Sequence, residues 1–177
     1  MIQKLRIHPL VFLISLALAL ILLFPTSTLA AIKKSKPIYQ IEVNKRTNIM
    51  YLYQNGQVIR TYQVATGKYS SPTPSGTYLI VRKVVQPSWR HIPGGIPANP
   101  LGPRWLGLRI YGNHGSIYGI HGNNNAASIG WNSTNGCIRM NNHDVIRLFR
   151  VIPSGTPVWI HRGKSNLIWR GNSFIGY

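Results

Sequence analysis

The sequence predicts a mainly β domain, built as a β-sandwich or as mixed sheets, with one principal α-helix late in the chain. Three observations carry this expectation. Short β-branched and aromatic runs recur between clusters of Gly, Pro, Asn and Ser from residue 39 onward. One pair, Asn55-Gly56, stands between two such runs, and Asn-Gly accepts the positive φ of a two-residue hairpin turn. Helical spacing appears where Val145, Leu148, Phe149 and Ile152 fall at i, i+3, i+4 and i+7. The chain has 177 residues, 44% of them hydrophobic, which is enough for one ordinary core. No internal repeat and no second domain is visible in it.

Residues 1–30 read as a secretory signal: a basic start with Lys4 and Arg6, an apolar run from Leu10 to Phe24, then "PTSTLAA", with cleavage expected after Ala30. The run is short of the roughly 20 residues that span a bilayer. Ile7 and Leu29 extend its apolar character, so a retained signal anchor is the alternative. Either way the remainder is expected to be exported. Residues 31–37, "AIKKSKP", are a solvated linker, 38–163 the folded domain, and 164–177 an extension that adds a strand or hangs loose.

Within the domain, Tyr39, Ile41 and Val43 alternate with Gln40, Glu42 and Asn44, the pattern of a half-buried strand. "NIMYLYQNGQVIRTYQVATG" is the hairpin, "KYSSPTPSG" a loop, and "TYLIVRKVV", 77 to 85, another strand. Gln86 to Gly102 is too rich in Pro and Gly for regular structure; long loops inside compact domains are often functional. "RWLGLRIYG" and "SIYGIHG" follow as strands, the second delivering His121 at its end. Asn141 or Asn142 is expected to cap the helix, and Asp144 in its first turn suits the helix dipole. "GTPVWIHRG", 155 to 163, closes the domain with a strand.

The formal charge is +18, from 20 basic and 2 acidic residues; without Lys4 and Arg6 it is 18 − 2 = +16. Such an excess favours anionic wall polymers or a membrane surface, besides simple solubility. No helix-turn-helix or RNA-binding signature is present, so nucleic acid is not expected as a partner. A monomer is expected.

Cys137 is the sole cysteine, so no internal disulfide can form, and an exported lone thiol calls for a reason. It is either a small buried hydrophobe or a nucleophile. A nucleophilic thiol needs a neighbour to take or balance its proton. His121 lies 137 − 121 = 16 positions earlier, and Arg139 adds a fixed positive charge two positions later. Gly136 allows a tight bend before the sulfur, and amides after such a bend can face a developing oxyanion. Nucleophile–base pairs usually have a third group that orients the base. Glu42 and Asp144 are the only carboxylates, and Asp144 already suits the helix start. A backbone carbonyl is therefore expected to orient His121. His114 or His143 would have to complete a zinc set with Cys137, but no spacing matches a zinc pattern. No metal and no cofactor is expected. Trp131 and Tyr118 flank the site in sequence and are read as core aromatics before groove walls.

"IHGNNNAASIGWNSTNGCIRM" resembles the signature of the L,D-transpeptidase (YkuD-type) catalytic domain: His-Gly, a spacer, then Ser/Thr-x-Gly-Cys followed by Ile-Arg. Thr134, Asn135, Gly136, Cys137, Ile138 and Arg139 occupy the last segment. "VATGKYSSPTPSGTY" resembles the family's Thr-Gly-Lys and Thr-Pro-x-Gly segments, and "NPLGPRWLGL" its Asn-Pro-Leu-Gly block; the similarity runs from about Ile38 to His161. The resemblance implies the mainly β L,D-transpeptidase fold and a cysteine acyltransferase acting on peptidoglycan stem peptides. Cys137 would attack the bond after the third residue of a donor tetrapeptide, releasing D-alanine, with His121 as base and then acid. An acceptor amine would give a 3→3 cross-link, and water would make the site an L,D-carboxypeptidase. The Gly122 carbonyl would match the group orienting the base in relatives. Arg139, Asn135, Gly136 and Thr134 would contact substrate, although many members carry His where Asn135 stands.

Sortase-like enzymes favour a Thr-Leu-x-Thr-Cys strand that "STNGCIRM" fits poorly, and papain-like hydrolases place the cysteine before the histidine. A non-catalytic basic wall-binding module would explain the charge but not the signature around Cys137.

Overall fold

The computed structural model describes residues 36–171. The expected signal, most of the linker and the last six residues lie outside the described residues.

The strands in chain order are β1 (Tyr39–Asn44), β2 (Ile49–Gln54), β3 (Gln57–Gln63), β4 (Thr66–Gly67), β5 (Gly76–Val85), β6 (Arg104–Leu108), β7 (Tyr118–His121), β8 (Asn132–Thr134), β9 (Ile138–Arg139) and β10 (Pro157–His161). One helix, α1 (Asn142–Val151), and a 3-10 turn at Ala126–Ser128 complete the described elements. Eight strands form one sheet in the order β3-β2-β1-β10-β5-β6-β7-β9, and β4 pairs with β8 in a second, two-stranded sheet. The fold is mainly β with one principal helix, and its large sheet is mixed: β1–β10 and β7–β9 are parallel, the other neighbours antiparallel.

Asn55 and Gly56 both take positive φ, 53° and 80°, between β2 and β3. That is the backbone of a type I′ turn, whose twist matches paired strands. Irregular pairing at Leu52/Tyr53 and again at Ile80/Arg82 marks bulges, which bend strands locally. One face of the curled sheet holds the core: Ile41, Val43, Leu52, Ile80, Leu106, Ile120, Ile138 and Val158 are buried with Val145 and Leu148 of α1. The helix takes this place because its apolar residues recur every three to four positions. Asp144 lies in its first turn and Arg150 in its last, each sign opposing the dipole end nearby. Neither Asn141 nor Asn142 caps it through a side chain, contrary to expectation. Asn142 instead exchanges two hydrogen bonds with the Asn123 backbone, at 2.8 and 2.9 Å.

Strand β1 corrects a second expectation. Its alternation is real, but the polar face is not solvated: Glu42 and Asn44 are both buried. The segment after β10 covers them. Asn44 donates to the Gly163 carbonyl and to Ser165 Oγ, each at 2.9 Å. Trp169 packs edge-on against Trp159 and Tyr53, and Arg170 lies over Trp159. The described part of the extension, 164–171, therefore neither adds a strand nor hangs loose. Burying a carboxylate demands partners, and Glu42 has two: the Tyr53 hydroxyl donates to it at 2.5 Å and His161 Nε2 lies 2.9 Å away. His161, which carries no local signal in the sequence, is a member of this network and stacks on Trp159.

Candidate active site

Pairing of β7 with β9 brings the predicted residues together. Ile120 aligns with Ile138 and His121 with Arg139, and both isoleucines are fully buried in the core. Side chains alternate faces along a strand, so His121, Arg139 and Cys137, one position before β9, project from the opposite face. The local backbone is tied on all sides. Arg139 exchanges two 2.9 Å bonds with Ala65, and the Met140 amide donates to the His121 carbonyl at 2.8 Å.

His121 is buried and stacks on Trp105, with ring centroids 5.4 Å apart and 21° between planes. Its Nδ1 lies 2.7 Å from the Gly122 carbonyl oxygen. A carbonyl only accepts, so Nδ1 carries the proton of the neutral ring and Nε2 its lone pair. Desolvation holds the imidazole well below its ordinary range, at about 4; the Gly122 carbonyl opposes this, the nearby Arg139 charge reinforces it, and the Leu101 carbonyl opposes it more weakly. The base is therefore neutral at physiological pH. A backbone carbonyl sits where a carboxylate was not expected, and Glu42 is engaged with Tyr53 and His161 instead.

Residue 122 must be glycine for steric reasons. A Cβ there would lie 2.3 Å from Asn142 Oδ1 and 2.7 Å from Pro103 Cδ. That oxygen holds the Asn123 amide, so the His-Gly pair lets an asparagine from α1 reach the backbone beside the base.

Cys137 is half-buried. Its Sγ lies 3.5 Å from the Ile117 carbonyl. Burial pushes the thiol above its ordinary value, against the Gly119 backbone amide and the Arg139 guanidinium, which pull it down. The resting pair is thus thiol and neutral imidazole. Thr134 shapes the approach to the sulfur: its buried hydroxyl accepts from the Gly136 amide at 3.1 Å and donates to the Cys137 carbonyl at 2.6 Å. Gly136 itself has φ +112°, where a Cβ would meet the Tyr118 ring at 2.9 Å. The Thr134 hydroxyl and the Gly136 amide are thus bonded to each other inside the loop. Asn135 is exposed at the loop tip.

A cavity of about 340 Å³ opens at Cys137. Trp105 from β6, Ile117, Arg82 from β5, and Trp89 and Arg90 from the 86–103 loop wall it. The long loop marked in the sequence as functional forms one side, but which of its residues would face the thiol had no sequence signal. Neither acid of the chain lines the cavity. Trp131 is 69% exposed and Tyr118 half-buried, so the expectation that both are core fails for Trp131. Tyr118 packs on the core edge and against Gly136. Among the described residues no three His, Cys, Asp or Glu side chains converge as a metal site.

Comparison with known proteins agrees with this arrangement. Residues 38–160 match the sequence profile of the L,D-transpeptidase catalytic domain, YkuD. The chain is 48% identical over 120 residues to the L,D-transpeptidase YqjB of Bacillus subtilis (strain 168), covering 67% of this chain and 68% of that one. It is 41% identical over 124 residues to YkuD of the same organism, covering 70% and 66%. The chain thus spans about two thirds of these relatives. The solved L,D-transpeptidase of Enterococcus faecium superposes with a TM-score of 0.57 at 23% identity, over 70% of this chain and 50% of its own. Its catalytic domain alone gives 0.56 at 24% identity, over 70% and 96%; at such identities the likeness speaks to the fold. A thiol after a positive-φ glycine, a histidine held by the next residue's carbonyl, and a profile match across the whole folded region lead to one conclusion: this chain belongs to the family of L,D-transpeptidase catalytic domains.

Proposed function

We propose that this protein is an exported, cysteine-dependent L,D-transpeptidase that joins peptidoglycan stem peptides through 3→3 cross-links. One observation carries the reading. The Nδ1–H of His121 is held by the Gly122 carbonyl, leaving Nε2 to take a proton on the sheet face that also bears Cys137.

In the proposed reaction Nε2 removes the thiol proton as Sγ attacks the carbonyl between the third and fourth donor residues. Because the resting thiol is protonated, the transfer accompanies attack, as in general-base catalysis. The Cys137 amide lies outside the strand ladder and is the natural donor to the oxyanion, since the Gly136 amide is already bonded to Thr134. Collapse of the tetrahedral species breaks the C–N bond, and the imidazolium returns its proton to the departing D-alanine amine. The acceptor's side-chain amine then attacks the thioester, gives a proton to Nε2, and the sulfur leaves to recover that proton. Arg82 and Arg90 give the cavity a positive lining that suits the carboxylates of a stem peptide. The Arg139 guanidinium makes no hydrogen bond to protein among the described residues, and its charge reaches both His121 and Cys137. It acts on the developing thiolate or on a substrate carboxylate.

Incubation with disaccharide tetrapeptide tests this. Mass spectrometry is expected to find free D-alanine and a dimer linked between third residues, both absent with Cys137→Ala. Tripeptide without dimer would make the protein an L,D-carboxypeptidase. No product from either protein would leave a basic binding module.

A further inference from the structure

We infer that a second, non-catalytic site lies between the β2–β3 hairpin and α1, and that its occupant is the anionic phospholipid surface of a bilayer. A cavity of about 340 Å³ opens there, lined by Ile59, Arg60, Tyr62, Arg147, Arg150 and Val151 among others. None of its residues lines the cavity at Cys137, so the inference stands independently of the proposed reaction.

The chemistry of the lining points to a ligand with negative charge at its surface and hydrocarbon behind it. Arg60, Arg147 and Arg150 are exposed. None of the three donates a hydrogen bond or meets a carboxylate within 4 Å among the described residues, where the sole ion pair is His161–Glu42. The one acid nearby is Asp144, whose charge reaches the Tyr62 hydroxyl together with those of Arg60 and Arg147. Three cations thus face one anion. Guanidinium groups form paired hydrogen bonds to phosphate oxygens. Between them sit aliphatic side chains left in solvent, Ile59 at 44% exposure and Val151 at 47%. A soluble phosphate polymer offers nothing to those two residues, whereas a headgroup layer over acyl chains meets both the charge and the apolar surface.

The path of the chain agrees. Tyr39 opens β1 and also lines this cavity, with the exposed Ile38 just before it. The apolar run Leu10–Phe24 ends 39 − 24 = 15 residues earlier. Fifteen residues reach up to ~50 Å when extended, so a retained run leaves this face within reach of the membrane it enters.

The test uses the full chain in lipid nanodiscs carrying a trace of spin-labelled lipid, with methyl NMR of Ile59 and Val151 as readout. In discs containing phosphatidylglycerol these two methyl signals are expected to broaden more than those of the remaining isoleucines and valines. Neutral phosphatidylcholine discs, and the Arg60→Glu, Arg147→Glu, Arg150→Glu triple variant, are expected to restore them. Each cation near an anionic surface changes binding by roughly fivefold, so losing the three alone is read as about a hundredfold, and reversing them as more than that. The variant's unfolding midpoint and its turnover of tetrapeptide are measured alongside and stay unchanged. Equal broadening in neutral and anionic discs, or broadening centred elsewhere, overturns the inference. So does soluble poly(glycerol phosphate) perturbing the same methyls in neutral discs as strongly as phosphatidylglycerol does, because the occupant would then be wall polymer.

Discussion

His121 is oriented by its own neighbour: its Nδ1 sits 2.7 Å from the carbonyl oxygen of Gly122. A histidine held this way keeps one tautomer without a buried carboxylate, and no negative charge stabilises its protonated form. Burial then dominates and depresses its basicity to about 4, while the same burial raises the Cys137 thiol. Both shifts favour the uncharged pair over a thiolate–imidazolium pair.

Reactivity toward a neutral alkylating agent reports this state. Iodoacetamide is expected to modify Cys137 slowly at pH 7, at a rate that climbs through the alkaline range, because only thiolate reacts. A rate already at its plateau by pH 6 would mean a preformed ion pair. Acylation of Cys137 by the donor, read as release of D-alanine in the first turnover, needs neutral His121 and is expected to hold steady from pH 7 down to about 5 and to fall toward 4.

Folding stability follows the same histidine. In the unfolded chain the imidazole binds a proton near 6.5, in the folded protein only near 4. Between those values the unfolded state holds more protons, so stability falls as the pH drops. The loss from this one group is of order 3 kcal/mol between pH 7 and pH 4. Urea unfolding of His121→Gln against the parent checks it: the variant's stability is expected to depend less steeply on pH across that window.

Much of the fold is legible because its signals are local. Asn55-Gly56 forces the hairpin, and the 145/148/149/152 spacing marks the buried stripe of α1. That a backbone carbonyl and not a carboxylate holds His121 was readable by elimination, since the chain has only two acids; that it belongs to Gly122 was implied only by the family resemblance. What stayed hidden is non-local or very short. Strands β4, β8 and β9 have two or three residues each, too few for alternation to register, yet β9 carries the register that aligns Arg139 with His121. Glu42 and His161 are 119 positions apart, and nothing near either announces the parallel β1–β10 pairing that joins them. Asn142 looked like a cap because Asn favours helix starts; its contact with Asn123 is decided by tertiary packing.

The clamp at Thr134 separates positioning from packing. Thr134→Val keeps the shape and removes both hydrogen bonds, leaving the Gly136 amide buried without an acceptor. A stability loss of about 1–3 kcal/mol is expected, with slower acylation at unchanged substrate affinity. Thr134→Ser is expected to restore both. Rescue of stability without rescue of rate would contradict the positioning role.

The Glu42 network is expected to serve the extension and not the reaction. Glu42→Ala leaves Tyr53 and His161 without their shared acceptor, and a buried polar group left unsatisfied costs about 1–3 kcal/mol. Thermal unfolding is expected to shift down accordingly, while the kcat of the surviving folded fraction at 15 °C (about that temperature, chosen to keep the variant folded) is retained.

The central claim is that His121 activates Cys137 as a nucleophile. Intact-mass kinetics of acylation by a carbapenem test it most directly. One covalent adduct is expected on the parent protein, none on Cys137→Ala, and acylation of a folded His121→Gln variant slowed by a factor of about 10²–10⁴. An adduct that persists in Cys137→Ala, or that forms as fast without the imidazole, would contradict it.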